Sequence, residues 1–258
     1  VPEKGMPFTQ VQQDRMEQAR AEILAFPVGE EAASFPFAGK VLAASLAEEK
    51  ARLETDLLVW LDPDTIVVQE PGDFLLPPDK VLGYRSVHHQ LIGSLFHEPA
   101  DLFWQLNYRI CNVPEKKIFP MITVADQKTL RAYFNAGCMV ARPEKGIFQA
   151  WRDTFFRVYR HPDLEAFYEK DRLYRIFIHQ TLLTATVLQH CDPSELRELS
   201  WRINYPLHLH QEHLPENRPE TLNEIITFRY EGTFRKPGWQ KTIPATGKLK
   251  AWLMEEFS

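Results

Sequence analysis

Two carboxylates one residue apart interrupt a run of strand-forming residues in the segment LVWLDPDTIVV (Leu58–Val68). Asp62 and Asp64 would repel each other, at a high cost beside a buried strand, unless a cation lay between them. Carboxylate oxygens held apart by a rigid proline suit Mn²⁺ or Mg²⁺. The alternative is a turn that closes the strand, because Asp and Pro both favour turns. The apolar chain that resumes at Thr65 favours the metal site, since a surface turn need not lie between two buried strands.

Histidines are the second group of side chains that could bind a metal ion. His208 and His210 alternate in the segment HLHQEH and would point to the same face of an extended chain, with His213 close behind. His88 and His89 follow a predicted strand and could face the same cleft. The alternative interpretation is that these histidines are solvated side chains of surface loops.

Hydrophobic periodicity places these residues in an alternating α/β arrangement. Apolar spacing predicts helices over 14–23, 37–54, 99–111, 143–159, 172–188 and 249–256, and strands over 24–28, 57–61, 81–84, 117–124 and 137–143. The run Leu57–Leu61 does not alternate, which is typical of a strand buried on both faces in a parallel sheet flanked by helices. We therefore predict an α/β fold with a mainly parallel central sheet. Asp62 and Asp64 would lie at its carboxyl edge, where such sheets bind ligands.

Composition and charge limit the partners. The chain has 258 residues, a formal net charge of -5 and a pI of about 6.0, so no overall positive field favours nucleic acid or an anionic membrane. An anionic ligand must therefore be bound locally, by a metal or by a few placed basic groups. Cys111, Cys138 and Cys191 are odd in number and widely spaced, which disfavours a disulfide framework and a thiolate zinc site.

The chain shows no feature of a membrane or secreted protein. No apolar stretch approaches the roughly 18 residues of a membrane span, and no signal-peptide core opens the sequence, so we expect a cytoplasmic protein without a transmembrane segment. Because the sequence starts at Val1 rather than Met, we expect that an N-terminal piece has been removed. The absence of repeats and of a linker predicts a single domain over residues 1–258.

Four segments of the chain, in order, resemble the GT-A-type glycosyltransferases of the nucleotide-diphospho-sugar transferase superfamily. ETDLLVWLDPDTIVVQEP is similar to the segment around the superfamily's Asp-x-Asp motif, and YFNAGCMVARPEKGIFQAWRDTF to the segment beside the donor sugar. FIHQTLLTATVL resembles its Asp-Gln segment. SWRINYPLHLH with EIITFRYEGTFRKPGW resembles the closing stretch of glycogenin-like members, where an Asn is followed by a metal-ligating His and a Lys-Pro-Trp. The resemblance spans residues 36–239 and implies a GT-A-like domain.

The resemblance implies roles for particular residues. Asp62 and Asp64 would bind Mn²⁺ or Mg²⁺ and, through it, the diphosphate, whose departure builds negative charge that a Lewis acid stabilises. Lys40 lies where relatives place a basic residue near the nucleotide, although an exposed helix lysine is the alternative. The donor sugar would contact Asn135, Ala136, Gly137, His179 and Gln180. Gly137 would allow a close approach of the backbone, and a tight turn into the next strand is the alternative for this Asn-Ala-Gly segment.

The sequence departs from the family pattern in three places. The family's Asp-Gln is His179-Gln180 here, and Asp171, eight residues earlier, cannot replace the missing acid. The metal-ligating His aligns near Thr227, which leaves His208 or His210 to complete the coordination by Asp62 and Asp64. The first strand, whose loop binds the nucleotide base, has no clear counterpart in residues 1–13. The chain therefore lacks this strand, or binds nucleotide differently, or does not bind it.

We predict a metal-dependent glycosyltransferase that moves a sugar from a nucleotide-diphosphate sugar to an unknown glycan, lipid or protein acceptor. The candidate catalytic residues are Asp126, Asp171 and Gln180, and an inverting reaction would need one of the two aspartates as a base. Two alternatives stay open: a non-catalytic GT-A-like fold that binds a glycan or a protein, and a metal-dependent hydrolase that pairs the histidines with the aspartates. Core packing or surface anchoring is preferred over sugar stacking for Trp104, Trp151, Trp201 and Trp239.

Overall fold

Helices and short strands alternate along residues 8–257, the part of the chain that the computed structural model describes. The helices are α1 (Gln10–Gln18), α2 (Glu30–Ala33), α3 (Ala38–Ala51), α4 (Leu102–Ile110), α5 (Ile147–Val158), α6 (Pro162–Lys170), α7 (Arg172–His190), α8 (Trp239–Thr242) and α9 (Gly247–Glu256). The strands are β1 (Leu58–Leu61), β2 (Thr65–Val67), β3 (Leu82–Ser86), β4 (Pro120–Ile122), β5 (Thr129–Arg131), β6 (Phe134–Ala141), β7 (Leu196–Glu198), β8 (Tyr205–Pro206) and β9 (Thr227–Arg229). The predicted α/β class is confirmed. None of the described helices combines the length and the apolar character that a bilayer crossing needs.

The central sheet has four strands in the order β1-β6-β3-β7, and their directions are mixed. Strand β6 runs antiparallel to both β1 and β3, whereas β3 and β7 are parallel. The prediction of a mainly parallel sheet is therefore corrected to a mixed sheet. The physical reason is that an unbroken apolar run reports burial on both faces, and it carries no information about the direction of the neighbouring strand.

Strand β6 is the centre of the molecule, and all its residues are buried. Phe134, Ala136 and Met139 belong to the larger apolar cluster, to which helices α3, α5 and α7 contribute. Cys138 and Val140 belong to a smaller cluster on the opposite face. Helix α5 packs between α3 and α7, and α7 packs on β6. This packing fixes the position of the β6 residues that border the candidate site.

A buried carboxylate joins helices α3 and α5. Glu48 on α3 is fully buried, and its Oε1 and Oε2 accept hydrogen bonds from Phe148 N (3.0 Å) and Gln149 N (2.8 Å). These amides belong to the first turn of α5, where N–H groups have no partner within the helix. Gly146, the N-cap residue, has no side chain to accept them. Burial raises the pKa of Glu48 against the opposing effect of these amides, and the carboxylate caps the helix from outside.

Replacing Glu48 by alanine should lower the free energy of unfolding by about 1–3 kcal/mol, because two buried amides lose their acceptor. Chemical denaturation of the purified variant measures this loss. Glu49→Ala is the matched control, since Glu49 is the next residue of the same helix and its side chain is exposed. The control should stay within about 0.5 kcal/mol of the wild type. Equal losses in the two variants would contradict the capping role.

A second sheet, in the order β2-β9-β8, brings the closing part of the chain to the Asp-Pro-Asp segment. Strand β2 starts at Thr65, and Arg229 on β9 lies opposite it in an antiparallel register. Ile66 and Phe228 point into an apolar cluster of their own. Because successive strand residues point to opposite faces, Arg229 points away from that cluster and toward the end of β1.

Several predicted elements differ from the observed ones. Helix α1 lies at Gln10–Gln18 rather than 14–23, and the predicted strand over 24–28 is reduced to a bridge at Phe26. The predicted strand over 117–124 is reduced to β4, and α6 and β7 to β9 were not predicted. Between residues 8 and 57 the structure describes no extended strand before β1. The part of the expected first-strand region formed by residues 1–7 lies outside the described residues.

A candidate active site around Asp62 and Arg229

The Asp-Pro-Asp segment forms the turn between β1 and β2. Asp62 N donates to Gly137 O (2.9 Å), and Thr65 N donates to Asp62 O (3.1 Å), which closes a tight turn. The side chain of Asp62 is 5% exposed, and that of Asp64 is 21% exposed. The segment is therefore a turn, as the simpler interpretation held, and it also directs two carboxylates to one place.

Lys40 reaches Asp62 from the first turn of α3. Its Nζ lies 2.7 Å from Asp62 Oδ1 and 2.8 Å from Oδ2, and 4.8 Å from the centroid of the Phe37 ring. The lysine side chain is 13% exposed. Burial lowers the pKa of Lys40 more than the Asp62 carboxylate raises it. Lys40 is thus a buried ion-pair partner of Asp62, and the alternative of an exposed helix lysine does not hold.

Arg229 connects the two aspartates from strand β9. Its Nε and Nη2 donate to the two carboxylate oxygens of Asp64, each at 3.1 Å. Nη2 also lies 3.3 Å from Asp62 Oδ2 and 2.9 Å from Glu231 Oε1. Burial lowers the pKa of Arg229, but the carboxylates of Asp62 and Asp64 outweigh burial and raise it. We name Lys40, Asp62, Asp64, Arg229 and Glu231 the ion-pair cluster.

Gly137 on β6 gives the ion-pair cluster its space. A Cβ at this position would lie 2.8 Å from Asp62 Oδ2, 2.9 Å from Arg229 Nη1 and 3.0 Å from Asn135 Oδ1. Gly137 N donates to Asn135 Oδ1 at 2.8 Å, which orients the Asn135 side chain. Gly137 is predicted to allow a close approach, and the groups that approach it are the side chains of Asp62 and Arg229.

Gly137→Ala should disrupt this arrangement, because the added methyl group would overlap polar atoms that are held in ion pairs. We expect the predicted sugar transfer to fall by about 10²-fold, as small displacements of a catalytic centre commonly cost. Gly72→Ala is the matched control, since a Cβ at Gly72 would meet no atom within 4 Å. Similar activity of both variants would show that the space at Gly137 is not required.

The His-Gln segment of helix α7 contacts strand β6. Gln180 Oε1 accepts a hydrogen bond from Ala136 N (3.0 Å), so this side chain holds the Asn-Ala-Gly segment in place. His179 is 2% exposed, and its ring centroid lies 4.5 Å from that of Phe37. Burial and the nearby charge of Lys40 lower the pKa of His179 well below its ordinary value. His179 is therefore neutral, and it contributes shape rather than charge at the position where the resemblance implies an acid.

Two neutral histidines border the ion-pair cluster. His88 Nε2 lies 3.4 Å from Asn135 Nδ2 and 3.5 Å from Asn204 Nδ2, and its ring centroid is 6.0 Å from that of His208. His208 Nε2 contacts Glu231 Oε2 at 3.2 Å. Burial is the main cause that lowers the pKa of His208 to about 4, and it also lowers the pKa of His88 well below 6.5.

Asp62 and Asp64, two of the residues predicted to bind a metal, contact cationic side chains of the protein. Asp62, Asp64 and His208 are the expected ligands, yet within residues 8–257 no group of three or more His, Cys, Asp or Glu side chains is placed to hold an ion. The oxygens of both aspartates contact Lys40 or Arg229 instead. Bound Mn²⁺ or Mg²⁺ stays a prediction, and this donor set does not fit it.

The other histidines lie elsewhere. Tyr205 Oη and His210 Nδ1 are 2.7 Å apart, and the His213 ring centroid is 5.0 Å from that of Tyr205. His89 Nε2 contacts Glu212 Oε2 at 3.1 Å. These side chains do not converge on the two aspartates, and no contact in the described part of the chain favours the metal-dependent hydrolase.

A model of the Rhodobacterales glycosyltransferase domain matches residues 3–188, a range that includes Lys40, Asp62, Gly137 and Gln180. The chain belongs to this family. It is therefore a glycosyltransferase, and a sugar donor and an acceptor are implied as its partners. Arg229 lies beyond the matched range. No curated protein matches the sequence.

Two solved structures are similar to this chain. The crystal structure of a glycosyltransferase involved in the glycosylation of the major capsid of PBCV-1 is 9% identical, with a TM-score of 0.39, over 86% of this chain and 82% of that chain. The apo form of mouse xyloside xylosyltransferase 1 is 12% identical, with a TM-score of 0.43, over 85% of this chain and 80% of that chain. These TM-scores are too low for either likeness to assign an activity or a substrate.

The two aspartates considered as catalytic bases in this glycosyltransferase have local partners. Asp171 Oδ1 accepts from Leu173 N at 2.8 Å and caps helix α7. Asp126 Oδ2 accepts from Gln90 N at 3.1 Å, and its Oδ1 accepts from the hydroxyl of Thr123. Both side chains are exposed, and within residues 8–257 neither pairs with the ion-pair cluster. Their catalytic roles stay predictions.

Arg229 and Glu231 are the site residues that sequence analysis missed. Both lie in the segment EIITFRYEGTFRKPGW, whose order resembles the closing stretch of the superfamily. The feature of the sequence that could have indicated Arg229 is Thr227. A threonine stands where the resemblance places a metal ligand, and a cationic residue follows two positions later, on the same face of a strand.

This glycosyltransferase also has a cavity of about 810 Å³, which none of the residues of the ion-pair cluster lines. Trp201, which is 51% exposed, forms part of its wall. The wall also includes charged residues: Arg85, Glu198, Arg218 and Glu224. The cavity size is within the range of small-ligand sites. An indole surrounded by charged groups can stack on a sugar ring while those groups bind its hydroxyls.

Proposed function

We propose that this glycosyltransferase is of the GT-A type and moves a sugar from a nucleotide-diphosphate sugar to an acceptor. The observation that carries the proposal is the meeting of distant segments at one place. Asp62, Gly137 and Arg229 lie against one another, and Gln180 is hydrogen-bonded to Ala136 beside them. These residues come from the same segments whose order resembles the superfamily, so the contacts support a donor site at this position.

We place the diphosphate of the donor against Lys40 and Arg229. The formal net charge of the chain is -5, so an anion must be bound by local cations. Lys40 and Arg229 are the two cations of the ion-pair cluster, and both are largely buried. They contact the three carboxylates of the cluster, so the diphosphate would have to take over some of these contacts. The sugar would extend along Asn135, Ala136 and Gly137, where the absence of a side chain at Gly137 leaves room beside the cluster.

We place the acceptor in the cavity that contains Trp201. Asp126 lies between Val124 and Gln127, both of which line this cavity. If the reaction inverts the anomeric centre, a carboxylate must accept the proton of the acceptor hydroxyl. Asp126 is preferred as the base because its neighbours in the chain line the cavity, and not because its carboxylate is free: both Asp126 and Asp171 accept local hydrogen bonds.

Trp201→Ala should weaken acceptor binding by about tenfold, with a higher KM for the acceptor and little change in kcat, because the stacking surface is lost. Initial rates with a panel of p-nitrophenyl glycosides measure this. Trp252→Ala is the matched control, since Trp252 on helix α9 is 44% exposed and does not line the cavity. A change in KM that is equal in both variants would contradict the acceptor site.

The experiment that tests the proposed function is calorimetric titration with UDP, GDP and their common sugar conjugates, each with and without Mn²⁺. We expect at least one nucleotide sugar to bind, and its binding to be weakened in Gly137→Ala but not in Gly72→Ala. No binding of any nucleotide in either condition would contradict the proposal and would favour a non-catalytic fold.

A further inference from the structure

The ion-pair cluster is built around a guanidinium group. Arg229 contacts Asp64 at 3.1 Å through two nitrogens, Asp62 at 3.3 Å and Glu231 at 2.9 Å. His208 contacts Glu231 on its other oxygen at 3.2 Å. Carboxylate oxygens and an imidazole are groups that suit Mn²⁺. The cation that these carboxylates surround is the side chain of Arg229.

Strand β9 offers no metal ligand at the position where the resemblance implies one. Thr227 stands there, fully buried, and its hydroxyl accepts a hydrogen bond from Asn204 N at 2.8 Å. Side chains two positions apart on a strand share a face, so Arg229 is the next side chain on the face of Thr227. Strand β9 therefore carries a cationic side chain, Arg229, close to the position where the resemblance implies a side chain that binds a metal cation.

A divalent ion would have to displace Arg229 from this place. The arginine side chain is 14% exposed and makes a bidentate pair with Asp64, the strongest geometry for such a contact. Removing one partner of a buried pair leaves an uncompensated charge, which is strongly unfavourable. Lys40 and Arg229 already relieve the repulsion between Asp62 and Asp64 that a metal ion would relieve.

We infer that Arg229 takes the place of the divalent metal in this glycosyltransferase, so that the donor diphosphate is bound by protein cations without Mn²⁺ or Mg²⁺. Arg229 Nη1 has no hydrogen-bond acceptor among residues 8–257, and it lies 2.9 Å from the position that a Gly137 Cβ would occupy. This nitrogen is the group offered to a phosphate oxygen, with Lys40 beside it. The diphosphate part of the inference rests on the proposed function, and the part on the metal does not.

The first test uses Mn²⁺ alone as the probe, with free Mn²⁺ measured by its electron paramagnetic resonance signal. The wild type should bind no Mn²⁺ at millimolar concentration. Arg229→Ala leaves Asp64 and Glu231 without a cationic partner, while Asp62 keeps Lys40, and the variant should bind Mn²⁺ at least about tenfold more tightly than the wild type. Arg229→Ala combined with Asp64→Asn should lose this gain, and Arg229→Lys, which keeps the positive charge, should behave as the wild type.

Two outcomes of this test would overturn the inference. One is Mn²⁺ binding by the wild type that is lost in Asp64→Asn. The other is an Arg229→Ala variant that is folded by circular dichroism and gains no affinity for Mn²⁺.

Because Arg229→Ala could fail to fold, the unmodified chain supplies a second test. The Kd of the nucleotide sugar should agree within about threefold between buffer with EDTA and buffer with Mn²⁺. A tenfold or larger requirement for Mn²⁺ would overturn the inference. If no nucleotide binds in either buffer, the proposed function is contradicted instead. The titration of the wild type with Mn²⁺ alone then tests whether Arg229 takes the place of the metal ion.

Discussion

Asp62→Asn is expected to lower the free energy of unfolding by about 3–5 kcal/mol, because it removes one partner from a buried ion pair. The Asp62 side chain is 5% exposed and is the carboxylate that contacts both Lys40 and Arg229. Arg229 would keep Asp64 and Glu231 as partners, whereas Lys40 would keep no carboxylate within ion-pair distance among residues 8–257. Burial already lowers the pKa of Lys40, and the loss of Asp62 would lower it further.

Urea denaturation of Asp62→Asn, Lys40→Met and the double variant measures this coupling. The double variant should lose at least about 1 kcal/mol less than the sum of the single losses, because neither charge is then left alone. Asp79→Asn is the control, since Asp79 pairs with Lys80 at 3.1 Å on the surface and its side chain is 71% exposed. The control should show no measurable change. Additive losses in the cycle would contradict an energetic pair between Lys40 and Asp62.

The meeting of Asp62, Gly137 and Gln180 was implied by the resemblance to the GT-A-type glycosyltransferases, whereas local patterns in the sequence predicted the elements that carry these residues. Asp62 ends an apolar strand, Gly137 lies in another, and Gln180 lies on a helix with a long apolar face. The spacing on helix α5 likewise predicts the fully buried Phe148 and Trp151. Periodicity identifies these elements because burial against the core imposes it.

Arg229 could not be placed at the site from the sequence. It lies 165 residues after Asp64, and the contact depends on the register between β2 and β9. Strand β9 has three residues, too few to show an alternating pattern of apolar and polar side chains. The direction of the strands in the central sheet could not be predicted from the sequence either, because a buried strand is apolar whether its neighbours run parallel or antiparallel.

The carboxylates of the ion-pair cluster show why a motif alone did not determine the chemistry. Two aspartates at one turn require a cation, and the sequence predicted a metal ion on that ground. The requirement is met in the structure by Lys40 and Arg229. Which cation compensates a pair of carboxylates depends on tertiary contacts, and single-sequence patterns do not contain these.

Lowering the pH from about 6.5 toward 4 is expected to destabilise the protein steeply, because the folded protein keeps several buried histidines neutral. Burial lowers the pKa of His208 and His213 to about 4, and it lowers the pKa of His88 and His179 well below 6.5. In the unfolded chain each of these rings takes up a proton near its ordinary pKa of about 6.5. Between the two pKa values the unfolded state therefore binds more protons, and the free energy of unfolding falls as the pH falls.

Acidic groups with a raised pKa act in the opposite direction. Burial raises the pKa of Glu48 and Glu231 above 4.5, so their protonation favours the folded state as the pH falls through that region. Their protonation offsets part of the loss that the histidines cause. Each ring that stays neutral when folded contributes at most about 1.36 kcal/mol per pH unit to that loss.

His213→Gln isolates one of these contributions. His213 is 2% exposed, lies against Tyr205 outside the ion-pair cluster, and lines the cavity that contains Trp201, so stability rather than activity is the measurement that isolates its protonation. Urea denaturation at pH 7, 6 and 5 should show a slope that is smaller than that of the wild type by up to about 1.36 kcal/mol per pH unit. His97→Gln is the matched control, since the His97 side chain is exposed. A slope that is unchanged in His213→Gln, or reduced equally in the control, would contradict the view that buried neutral histidines set the acid limit of stability.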